Sequence, residues 1–519
     1  MERTRESYWS AYPKTSPIKL LWRALTVRHC FHVLPGESIL EVGAGTGLWT
    51  EKLAGVFNGE NPITAAVFNE DFLPLARKKN LAGTNFVTVQ DLKSDLQAAS
   101  FDYVVGTAIL CHTLYSENLS VLYRLLKPGG QLLFFEANYW NPQVFVKTIV
   151  PPIGRLAGNA RCQMGMRKYD LMREASHQGF THVQVIPYDI IHALTPRFLI
   201  KWLRAIAFIL EHTPFVREFC GTLYIWAKKP GDEQARRPEV SLDFHPQLFD
   251  SVSVVVPCHN EEMNVRPLVN ALLKTYDRYI HEILLVNDNS KDGTASAIRA
   301  LSAEHPRVKL IDRKPPNGVG RALRDGYTAA SGRYILTMDC DFVQIIPEFR
   351  DLFAAVAAGY DGAIGSRFSH ESVLINYPLP KILANRGFHL LLNLLLRLRV
   401  RDISNNLKLM RSDVLKTIDL QEHHFAANVE TGLKPIVAGY AIKEVPISWI
   451  NRTAEMGTSS FKLLRLGPQY AMALFRIVWK AWRSRSANRN RATRVPRKSP
   501  VLIKEPGSSP ERTCNSLVP

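Results

Sequence analysis

The sequence has few cysteines and no long apolar run. Seven cysteines are scattered over 519 residues and none forms a C-x-x-C pair, so neither a disulfide framework nor a zinc site is indicated. No uninterrupted apolar run reaches the roughly 20 residues that a membrane-spanning helix requires. Residues 1–20 lack the apolar core of a signal peptide. These absences argue against secreted and integral membrane proteins and favour a cytoplasmic location, with the inner face of the membrane as a further location.

Acidic residues are scarce relative to basic ones. The chain has 47 Asp and Glu against 65 Lys and Arg, a formal net charge of +18, and nine of the basic residues follow Trp482 alongside only two Glu. A basic segment rich in Ser, Pro and Asn does not bury enough apolar surface to fold, so residues 483–519 are predicted to be a disordered tail. Because no aromatic–basic platform accompanies the charge, we expect no specific nucleic-acid partner.

A chain of this length exceeds what one hydrophobic core supports, so several domains are expected. Residues 228–238 lack periodicity and are rich in charge and proline, and a new strand pattern starts at Val252. We therefore predict a first domain over residues 1–230, a linker over 231–247, a second domain over 248–482 and then the basic tail.

Strand and helix patterns alternate through the first half. An apolar strand pattern at residues 38–42 runs through Glu41 into glycines at 43, 45 and 47 and then into a helical pattern. This order of strand, acid, glycine loop and helix is typical of a nucleotide pocket, because glycines let the backbone approach a ligand closely. Further strand patterns lie at residues 63–68, 85–89, 101–106 and 131–136. The alternation predicts an α/β fold with a doubly wound parallel sheet.

Three motifs of this half resemble the class I S-adenosylmethionine-dependent methyltransferases, which have a Rossmann-like fold. They are Glu41-Val-Gly-Ala-Gly-Thr-Gly47, Phe101-Asp-Tyr-Val-Val105 and Leu126-Lys-Pro-Gly-Gly-Gln-Leu-Leu133. The resemblance implies that S-adenosyl-L-methionine is a cofactor. It also implies that Glu41, Gly43, Gly45 and Gly47 cradle the amino-acid and ribose portion of this cofactor, and that Asp91 lies near its adenine.

The second strand departs from the pattern of this family. Methyltransferases of the family usually end that strand with an acid that binds the ribose hydroxyls, and Val67 stands at about that place here, with Asn69 and Glu70 as the nearest substitutes. A missing hydrogen-bond partner costs on the order of 1–3 kcal/mol. Two hypotheses stay open: an active methyltransferase, and a degenerate domain that binds the cofactor without catalysis or serves as a scaffold.

An acid pair follows a buried strand pattern in the second half. Tyr334-Ile-Leu-Thr-Met338 runs into Asp339 and Asp341, which are spaced one residue apart. Ligands collect at the carboxyl ends of strands in open α/β sheets, and two carboxylates at this spacing can share a hard cation. The alternative is that both are ordinary strand-end acids. Other strand patterns of this half also end in polar residues, which favours one nucleotide-binding rim.

Five motifs of this half resemble the family 2 glycosyltransferases with the GT-A fold, in particular polyprenyl-phosphate sugar transferases of the dolichol-phosphate mannose synthase type. They are Val255-Val-Pro-Cys-His-Asn-Glu261, Val286-Asn-Asp-Asn-Ser-Lys-Asp-Gly-Thr294, Met338-Asp-Cys-Asp341, Gly365-Ser-Arg367 and Glu444-Val-Pro-Ile-Ser448. They follow the family's order over nearly all of residues 252–462. The resemblance implies a metal-dependent, inverting transfer of a sugar from a nucleotide-sugar donor.

The same resemblance implies roles for individual residues. Those that would bind the nucleotide sugar are Pro257, Glu261, Asp288, Asp339 and Arg367. Asp339 and Asp341 would bind Mg²⁺ or Mn²⁺, which neutralises a diphosphate leaving group.

Three further residues would be catalytic by this resemblance: Asp402, Glu430 and Arg452. A hydroxyl acceptor would need a base, for which Asp402 and Glu430 are the candidates. A phosphate monoester is already anionic near neutral pH and needs positioning more than deprotonation. Arg452 would grip a phosphate of the acceptor or the donor. Asn287 stands where an acid is common and Lys408 where an arginine is usual, so the donor sugar and the acceptor stay open.

The two halves together predict a bifunctional transferase. The glycosyltransferase half would transfer a single sugar to a polyprenyl phosphate or another lipid-linked or glycan acceptor, because the Q-x-x-R-W motif of processive polysaccharide synthases is absent. The alternative keeps this activity and leaves the first half as a non-catalytic domain that binds S-adenosylmethionine or acts as a scaffold.

Two apolar segments with basic edges, residues 380–400 and 470–482, suit helices that lie on a bilayer surface. Buried helices are the competing interpretation. For the apolar and basic residues 198–210, a core helix is the default interpretation. We therefore predict peripheral membrane contact, with helices fully buried in the protein as the alternative.

Overall fold

The computed structural model describes residues 2–110, 115–149, 165–232, 242, 244–369, 371–375, 377–450 and 463–489. These residues form two seven-stranded sheets, each flanked by helices, and a two-stranded ribbon. One sheet lies in each half of the chain. Most of the predicted linker, residues 231–247, falls outside the described ranges.

The first sheet has the strand order β3-β2-β1-β4-β5-β7-β6. Its strands are β1 Ile39–Val42, β2 Ile63–Val67, β3 Thr84–Thr88, β4 Phe101–Thr107, β5 Leu126–Ala137, β6 Thr181–Tyr188 and β7 Thr222–Lys228. Strands β1 to β5 are parallel, and successive strands run outward from β1 in both directions. The predicted doubly wound arrangement is therefore confirmed. Its switch point lies between β1 and β4, where open α/β sheets bind ligands.

Helices cover both faces of this sheet. They are α1 Glu2–Ala11, α2 Ser16–Phe31, α3 Leu48–Val56, α4 Leu73–Arg77, α5 Leu92–Asp95, α6 Tyr115–Leu125, α7 Pro142–Ile149, α8 Lys168–His177 and α9 Arg197–Leu210, with 3-10 turns at Glu70–Phe72 and Val216–Phe219. Alternate residues of the central strands enter two separate cores: Leu40 and Val104 face one, and Ile39 and Tyr103 face the other. Burial on both faces explains why these strands are continuous apolar runs in the sequence.

The second sheet has the order β10-β9-β8-β11-β14-β12-β15. Its strands are β8 Val252–Cys258, β9 Ile280–Asn287, β10 Val308–Asp312, β11 Tyr334–Thr337, β12 Gly362–Ser366, β14 Lys408–Arg411 and β15 Ile442–Pro446. The ribbon pairs β13 Leu374–Ile375 with β16 Trp449–Ile450. The strand order again reverses about the first strand of the half, so a second switch point lies between β8 and β11.

The helices of the second half are α10 Glu262–Tyr276, α11 Thr294–Glu304, α12 Val319–Ala329, α13 Phe349–Ala357, α14 Leu379–Leu396, α15 Ser412–Thr417, α16 Ala427–Ala438 and α17 Leu463–Arg489, with 3-10 turns at Pro246–Leu248 and Phe342–Glu348. β8 carries five consecutive buried residues from Val252 to Val256, as a central parallel strand should. Strand β8 is therefore part of the hydrophobic core of the second half.

Both sheets are mixed, whereas the sequence pattern predicts a parallel sheet in the first half. β7 runs antiparallel to β5 and β6, and β14 runs antiparallel to β11 and β12. The sequence pattern predicts no strand beyond residue 136 in the first half. β6 is partly exposed along its length, and such an edge strand lacks the long apolar run that marks the central strands.

Helix α17 continues to Arg489, past residue 483, where the disordered tail is predicted to begin. Residues 483–489 contain neither proline nor glycine, so the sequence supplies no signal that would end the helix there. The rest of the predicted tail, residues 490–519, lies outside the described residues.

A buried cluster joins the two halves. His29 and His32, at the end of α2, each place Nδ1 3.0 Å from Oε1 of Glu348. Ser448 donates its hydroxyl to the same oxygen at 2.6 Å and its backbone N–H to Oε2 at 2.7 Å. Two further ion pairs cross the boundary, Arg28–Asp351 and Arg350–Glu60. The first half is thus held against the segment that leads into Trp449.

Candidate functional site

A large cavity opens at the switch point of the second sheet. It has a volume of about 1180 Å³ and extends from the carboxyl ends of β8, β9 and β11 to the helices α14 and α17. Every residue predicted to bind the nucleotide sugar or the metal lines it: Pro257, Glu261, Asp288, Asp339, Asp341 and Arg367. The fold therefore brings these strand-end residues together around one space.

The acid pair follows β11 and faces this cavity. Between the two acids, Cys340 is buried, and a hydrogen bond with Cys258 together with burial raises the pKa of its thiol well above the ordinary value. Asp339 Oδ1 accepts a hydrogen bond from Asn406 Nδ2 at 2.7 Å. A pair of carboxylates is a donor set that Mg²⁺ and Mn²⁺ prefer. Among the described residues, no group of three or more His, Cys, Asp and Glu could hold a metal ion.

Arg367 stands on the cavity wall in a fixed orientation. Its Nε donates to Asp402 Oδ2 at 2.7 Å, and its Nη2 donates to Asp402 Oδ1 at 3.0 Å. Asp402 is fully buried and also accepts the backbone N–H of Arg367 at 3.1 Å and the Ser404 hydroxyl at 3.0 Å. Although burial alone would raise it, Arg367 holds the pKa of Asp402 well below its ordinary range. Asp402 is thus an anion that orients the guanidinium.

Asp402 and Glu430, two of the three residues predicted to be catalytic, do not line the cavity as the described residues form it. Asp402 lies behind Arg367, and Glu430, in α16, lies outside the cavity as the described residues form it. The Glu430 carboxylate turns away to accept the backbone N–H groups of Gln421 at 2.9 Å and Glu422 at 2.7 Å. Arg452 falls outside the described residues, so its role stays a prediction.

Asp288 and Asn287 build the rim at the end of β9. Asp288 Oδ2 accepts the backbone N–H of Gly318 at 2.6 Å, and its other oxygen pairs with Arg313. Asn287, which replaces a common acid of the family, donates to Asp312 Oδ1 at 2.7 Å and so ties the ends of two adjacent strands together. The rim is therefore held by hydrogen bonds within the protein before any ligand binds.

Lys408 and Asn406, which lie near Asp339, have no role in the sequence-based prediction of the site. Lys408 is fully buried, and its Nζ donates to the Asn428 carbonyl at 3.0 Å. Burial lowers the pKa of Lys408 to about 7, against the opposing effect of Asp402 and Asp339. The signal that could have found it is a lysine within the apolar pattern of β14. Asn406, which contacts Asp339, stands two residues before it.

The far end of the cavity is apolar and lies between α14 and α17. Phe388 and Leu391 line it from α14, and Tyr470 and Leu474 line it from α17. The rings of Phe388 and Tyr470 are 5.9 Å apart. Trp449 lines the middle, with the Arg367 guanidinium 5.4 Å from its ring centre. The two segments predicted to be amphipathic thus form the wall opposite the acid pair.

Helices α9, α14 and α17 also present apolar side chains to solvent. Phe198 and Trp202 of α9, Leu390 and Leu394 of α14, and Phe475 and Trp479 of α17 are all more than half exposed. The default core interpretation of residues 198–210 holds for one face of α9 only, on which Ile200 and Ala207 are buried. No helix among the described residues is long and apolar enough to cross a membrane.

The predicted cofactor cradle lies at the switch point of the first sheet. Gly43, Gly45 and Gly47 follow β1 with φ angles of 72°, 59° and 77°, which favour glycine. Glu41 is buried, and burial raises its pKa to about 7. A cofactor does not fit beside this loop as it stands, because α1 fills the space: a Cβ added at Gly43 or Gly45 would meet side chains of α1.

Asp91, predicted to lie near adenine, begins the short helix α5. Its carboxylate accepts the backbone N–H of Lys93 at 2.9 Å, as an N-cap residue does. The side chain is exposed at the edge of the first sheet. Its role toward a cofactor stays a prediction.

Two family models match the chain. The model described as Glycosyl transferase family 2 matches residues 253–419, and the model described as ubiE/COQ5 methyltransferase family matches residues 16–164. The two resemblances predicted from sequence motifs are therefore confirmed. Both are families of transferases, which confirms the prediction of a transferase.

Curated relatives match the second half. Polyprenol monophosphomannose synthase of Mycolicibacterium smegmatis is 29% identical over 236 residues, which are 43% of this chain and 84% of the relative. Dolichol-phosphate mannosyltransferase of Pyrococcus furiosus is 30% identical over 189 residues, which are 35% of this chain and 52% of the relative. The chain thus spans most of the first relative and about half of the second.

A solved structure is also similar: glucosyl-3-phosphoglycerate synthase from Mycobacterium tuberculosis in complex with phosphoglyceric acid. The identity is 16% and the TM-score 0.36, with 44% of this chain and 79% of that structure covered. A likeness of this degree carries no argument about function.

Proposed function

We propose that the second half is a metal-dependent glycosyltransferase that moves one sugar from a nucleotide-sugar donor to a polyprenyl phosphate, with inversion at the anomeric carbon. The observation that carries this proposal is the two-ended cavity. Polar strand-end residues line one end, and apolar side chains of α14 and α17 line the other. A charged donor and a lipid-linked acceptor would each meet a surface of matching chemistry in one space.

The donor would lie at the polar end. Pro257, Glu261 and Asp288 would hold its base and ribose, and Asp339 and Asp341 would hold Mg²⁺ or Mn²⁺ together with oxygens of its diphosphate. When bound, such a cation neutralises the charge that develops on a departing nucleoside diphosphate. Asn406 would orient the Asp339 carboxylate toward the cation through the hydrogen bond at 2.7 Å.

Arg367 would stabilise phosphate charge, with Asp402 as its positioning residue. The two hydrogen bonds to Asp402 fix the plane of the guanidinium, so it needs no reorganisation when negative charge develops nearby. A carboxylate with a lowered pKa is a weak base. We therefore assign proton abstraction to neither Asp402 nor Glu430, which lies outside the cavity.

The acceptor would enter from the apolar end. An isoprenoid chain would pack against Phe388, Leu391 and Leu474, with its phosphate near Lys381, which lines the same wall. A phosphate monoester is already ionised at neutral pH, so its attack on the anomeric carbon needs no general base. Arg452 would grip a phosphate in this proposal.

Contact with the inner face of a membrane is part of the same proposal. Helices α9 and α17 each pack against α14, and the three helices carry the exposed side chains of Phe198, Trp202, Leu394 and Trp479. We name these four residues and their neighbours on the three helices the apolar face. The net charge of +18 would favour anionic headgroups. A lipid acceptor would then reach the cavity from the bilayer to which the helices bind.

For the first half we propose an S-adenosylmethionine-dependent methyltransferase. The glycine loop and Glu41 lie at the switch point of the first sheet, where such a cofactor would bind. The alternative is a non-catalytic domain, which the lack of an acid at Val67 favours. The methyl acceptor is open in both cases.

A donor screen tests the glycosyltransferase. The full chain is incubated with purine and pyrimidine nucleotide sugars and Mg²⁺ or Mn²⁺, with and without a polyprenyl phosphate, and nucleotide release is measured. We expect one donor to be consumed only when both the metal and the polyprenyl phosphate are present. Equal release without the lipid would contradict the acceptor, and no release with any donor would contradict the activity.

A further inference from the structure

The amino-terminal helix α1 lies in the predicted cofactor cradle of the first sheet. The Glu2 carboxylate accepts three backbone N–H groups, those of Gly45 at 3.2 Å, Phe68 at 3.1 Å and Asn69 at 2.8 Å. Gly45 belongs to the glycine loop after β1, and Phe68 and Asn69 follow β2. One carboxylate of α1 therefore bridges the ends of two adjacent strands.

Arg5, one turn further along α1, binds carbonyl groups of the same rim. Its guanidinium donates to the backbone oxygen of Gly43 and, at 3.1 Å, to that of Thr107 at the end of β4. Glu6 accepts the hydroxyl of Thr46, within the glycine loop, at 2.5 Å. The charged side chains of α1 that make these contacts are 9% exposed or less. They occupy a buried site and do not lie on the surface.

The charges of α1 match those of an amino acid. S-adenosylmethionine carries a zwitterionic portion with one ammonium and one carboxylate. An ammonium requires carbonyl acceptors, and a carboxylate requires N–H donors. Arg5 presents a cation to the Gly43 carbonyl, and Glu2 presents an anion to the Gly45 N–H. A carbonyl and an N–H group of the loop therefore bind one cation and one anion of α1. These are the two charges that a bound zwitterion would supply.

Glu41, in β1 just before the loop, keeps one carboxylate oxygen that α1 does not reach. Glu41 is 1% exposed, and within the described part of the chain no hydrogen-bond partner reaches its Oε2. A buried carboxylate oxygen without a donor is unfavourable. A ligand that carries a hydrogen-bond donor would satisfy this oxygen, which α1 does not.

We infer that α1 is an intramolecular ligand of the glycine loop that competes with the cofactor, so that the first half is closed until residues 2–6 leave. The inference rests on the proposed cofactor role of this loop. It concerns the regulation of the site and not the reaction that follows.

Only the first turn of α1 is bound in a way that lets it leave the loop, whereas Trp9 of the same helix is packed into the core. The contacts of residues 2–6 with the loop are polar and can be exchanged for water or for a ligand. Trp9 is 6% exposed in the hydrophobic core, with the Arg23 guanidinium 4.9 Å from its ring centre. The backbone oxygen of Tyr12 then closes a turn with the N–H groups of Thr15 and Ser16. The first turn of α1 can therefore leave while Trp9 keeps the helix attached.

Titration calorimetry of the full chain with S-adenosylmethionine tests the inference. The double variant Glu2→Ala, Arg5→Ala removes the two charged side chains that bind backbone groups of the loop and the neighbouring strand ends, and it leaves Glu6 and Trp9 in place. Arg3→Ala is the matched control, because Arg3 is exposed and pairs with the exposed Asp71, which is not part of the glycine loop. If α1 is seated in at least nine of ten molecules, the wild type binds about tenfold more weakly than the double variant. The control variant should bind like the wild type.

Hydrogen exchange gives a second readout, and unchanged melting temperatures show that the variants fold. Addition of cofactor to the wild type should speed amide exchange in residues 2–8 and slow it in the glycine loop. Equal affinity in all three proteins with unchanged exchange over residues 2–8 would overturn the competition and leave the cofactor role standing. No binding to any protein at millimolar cofactor would instead overturn the cofactor role itself, and the inference with it.

Discussion

His29 Nδ1 lies 3.0 Å from Glu348 Oε1, so a histidine of the first half and a carboxylate of the second meet at a boundary where both are almost fully buried. Although burial alone would raise it, His29 and His32 hold the pKa of Glu348 well below its ordinary range. An acid whose pKa is lowered in the folded state adds stability that is fully present above its unfolded pKa. This stability is lost as the pH falls toward the folded pKa.

Glu348→Gln should lower the free energy of unfolding by about 3 kcal/mol at pH 7, because it leaves two buried histidines without their anion. It should also flatten the fall in stability between about pH 5 and pH 3 that the wild type shows. Urea unfolding followed by tryptophan fluorescence measures both effects. Asp351→Asn, which breaks a partly exposed pair at the same boundary, is the control and should cost less than about 1 kcal/mol. Identical pH profiles for wild type and Glu348→Gln would contradict this account.

Arg367→Lys should lower kcat/KM for the nucleotide sugar about 10- to 100-fold, because lysine cannot make the two parallel hydrogen bonds to Asp402. Asp402→Asn should act in the same direction through misplacement of Arg367, and it should leave the acidic limb of the pH–rate profile where it was. A shift of that limb in Asp402→Asn would show that Asp402 is a base after all. Arg411→Lys, at an ion pair with Asp361 outside the cavity, should keep wild-type activity.

Asp341→Asn should reduce nucleotide release about 100-fold or more, because it removes one of two carboxylates that would hold the cation. Chelation by EDTA should have a similar effect on the wild type, and added Mn²⁺ should restore it. Asp413→Asn is a matched control, since this acid is 56% exposed in α15 and pairs with Arg411 outside the cavity. Full activity of Asp341→Asn would exclude the metal-binding role.

Trp202→Ser combined with Trp479→Ser should weaken vesicle binding at least about tenfold, because it removes two large apolar side chains from the apolar face. Flotation with vesicles that contain anionic lipid at low salt measures the bound fraction. Tyr169→Ser is the control, since Tyr169 is 71% exposed on α8, which is not one of the three helices that carry the apolar face. Wild-type protein that stays with the soluble fraction would refute the membrane proposal.

Lys408→Met should raise the free energy of unfolding by about 1–3 kcal/mol at pH 7, because burial of Lys408 favours its neutral form. A lysine with a lowered folded pKa destabilises the fold as the pH falls from 10.5, its ordinary value, to about 7, and the penalty is constant below. The gain should therefore shrink as the pH is raised toward 10. Denaturant unfolding at pH 7 and near pH 10 measures this gain in stability. A loss of stability at pH 7 would mean that the hydrogen bond from Lys408 to the Asn428 carbonyl stabilises the fold by more than burial of the lysine destabilises it.

The residues at the polar end of the cavity could largely be predicted from local sequence patterns. Asp339 and Asp341 follow a short strand of buried residues, Asp288 follows β9, and Pro257 lies near the end of β8, so the carboxyl ends of adjacent strands had to place them at one rim. The glycine loop after β1 is likewise a strand, turn and helix within a few residues. Such features depend on neighbours in the sequence, which are visible without a structure.

Long-range side-chain contacts were not predictable in the same way. The motif that contains Glu430 does not reveal that its carboxylate turns toward the backbone of residues 421–422. Four of residues 2–6 are charged and the segment lacks an apolar period, so no sequence pattern predicts that it fills a buried cradle. For α9, the apolar pattern indicates an amphipathic helix, but it does not distinguish a face that meets protein from one that meets solvent or lipid.

The cluster at Glu348 limits what can be concluded when the two halves of the chain are produced separately. A first half produced alone would carry two histidines on a newly wetted surface, and a second half produced alone would carry an uncompensated carboxylate beside the strand that holds Trp449. Each fragment would carry a destabilising defect on the surface that the other half covers, and in the second fragment this defect lies next to Trp449, which lines the cavity of the second sheet. A loss of activity on dissection would therefore not show that the halves cooperate in catalysis.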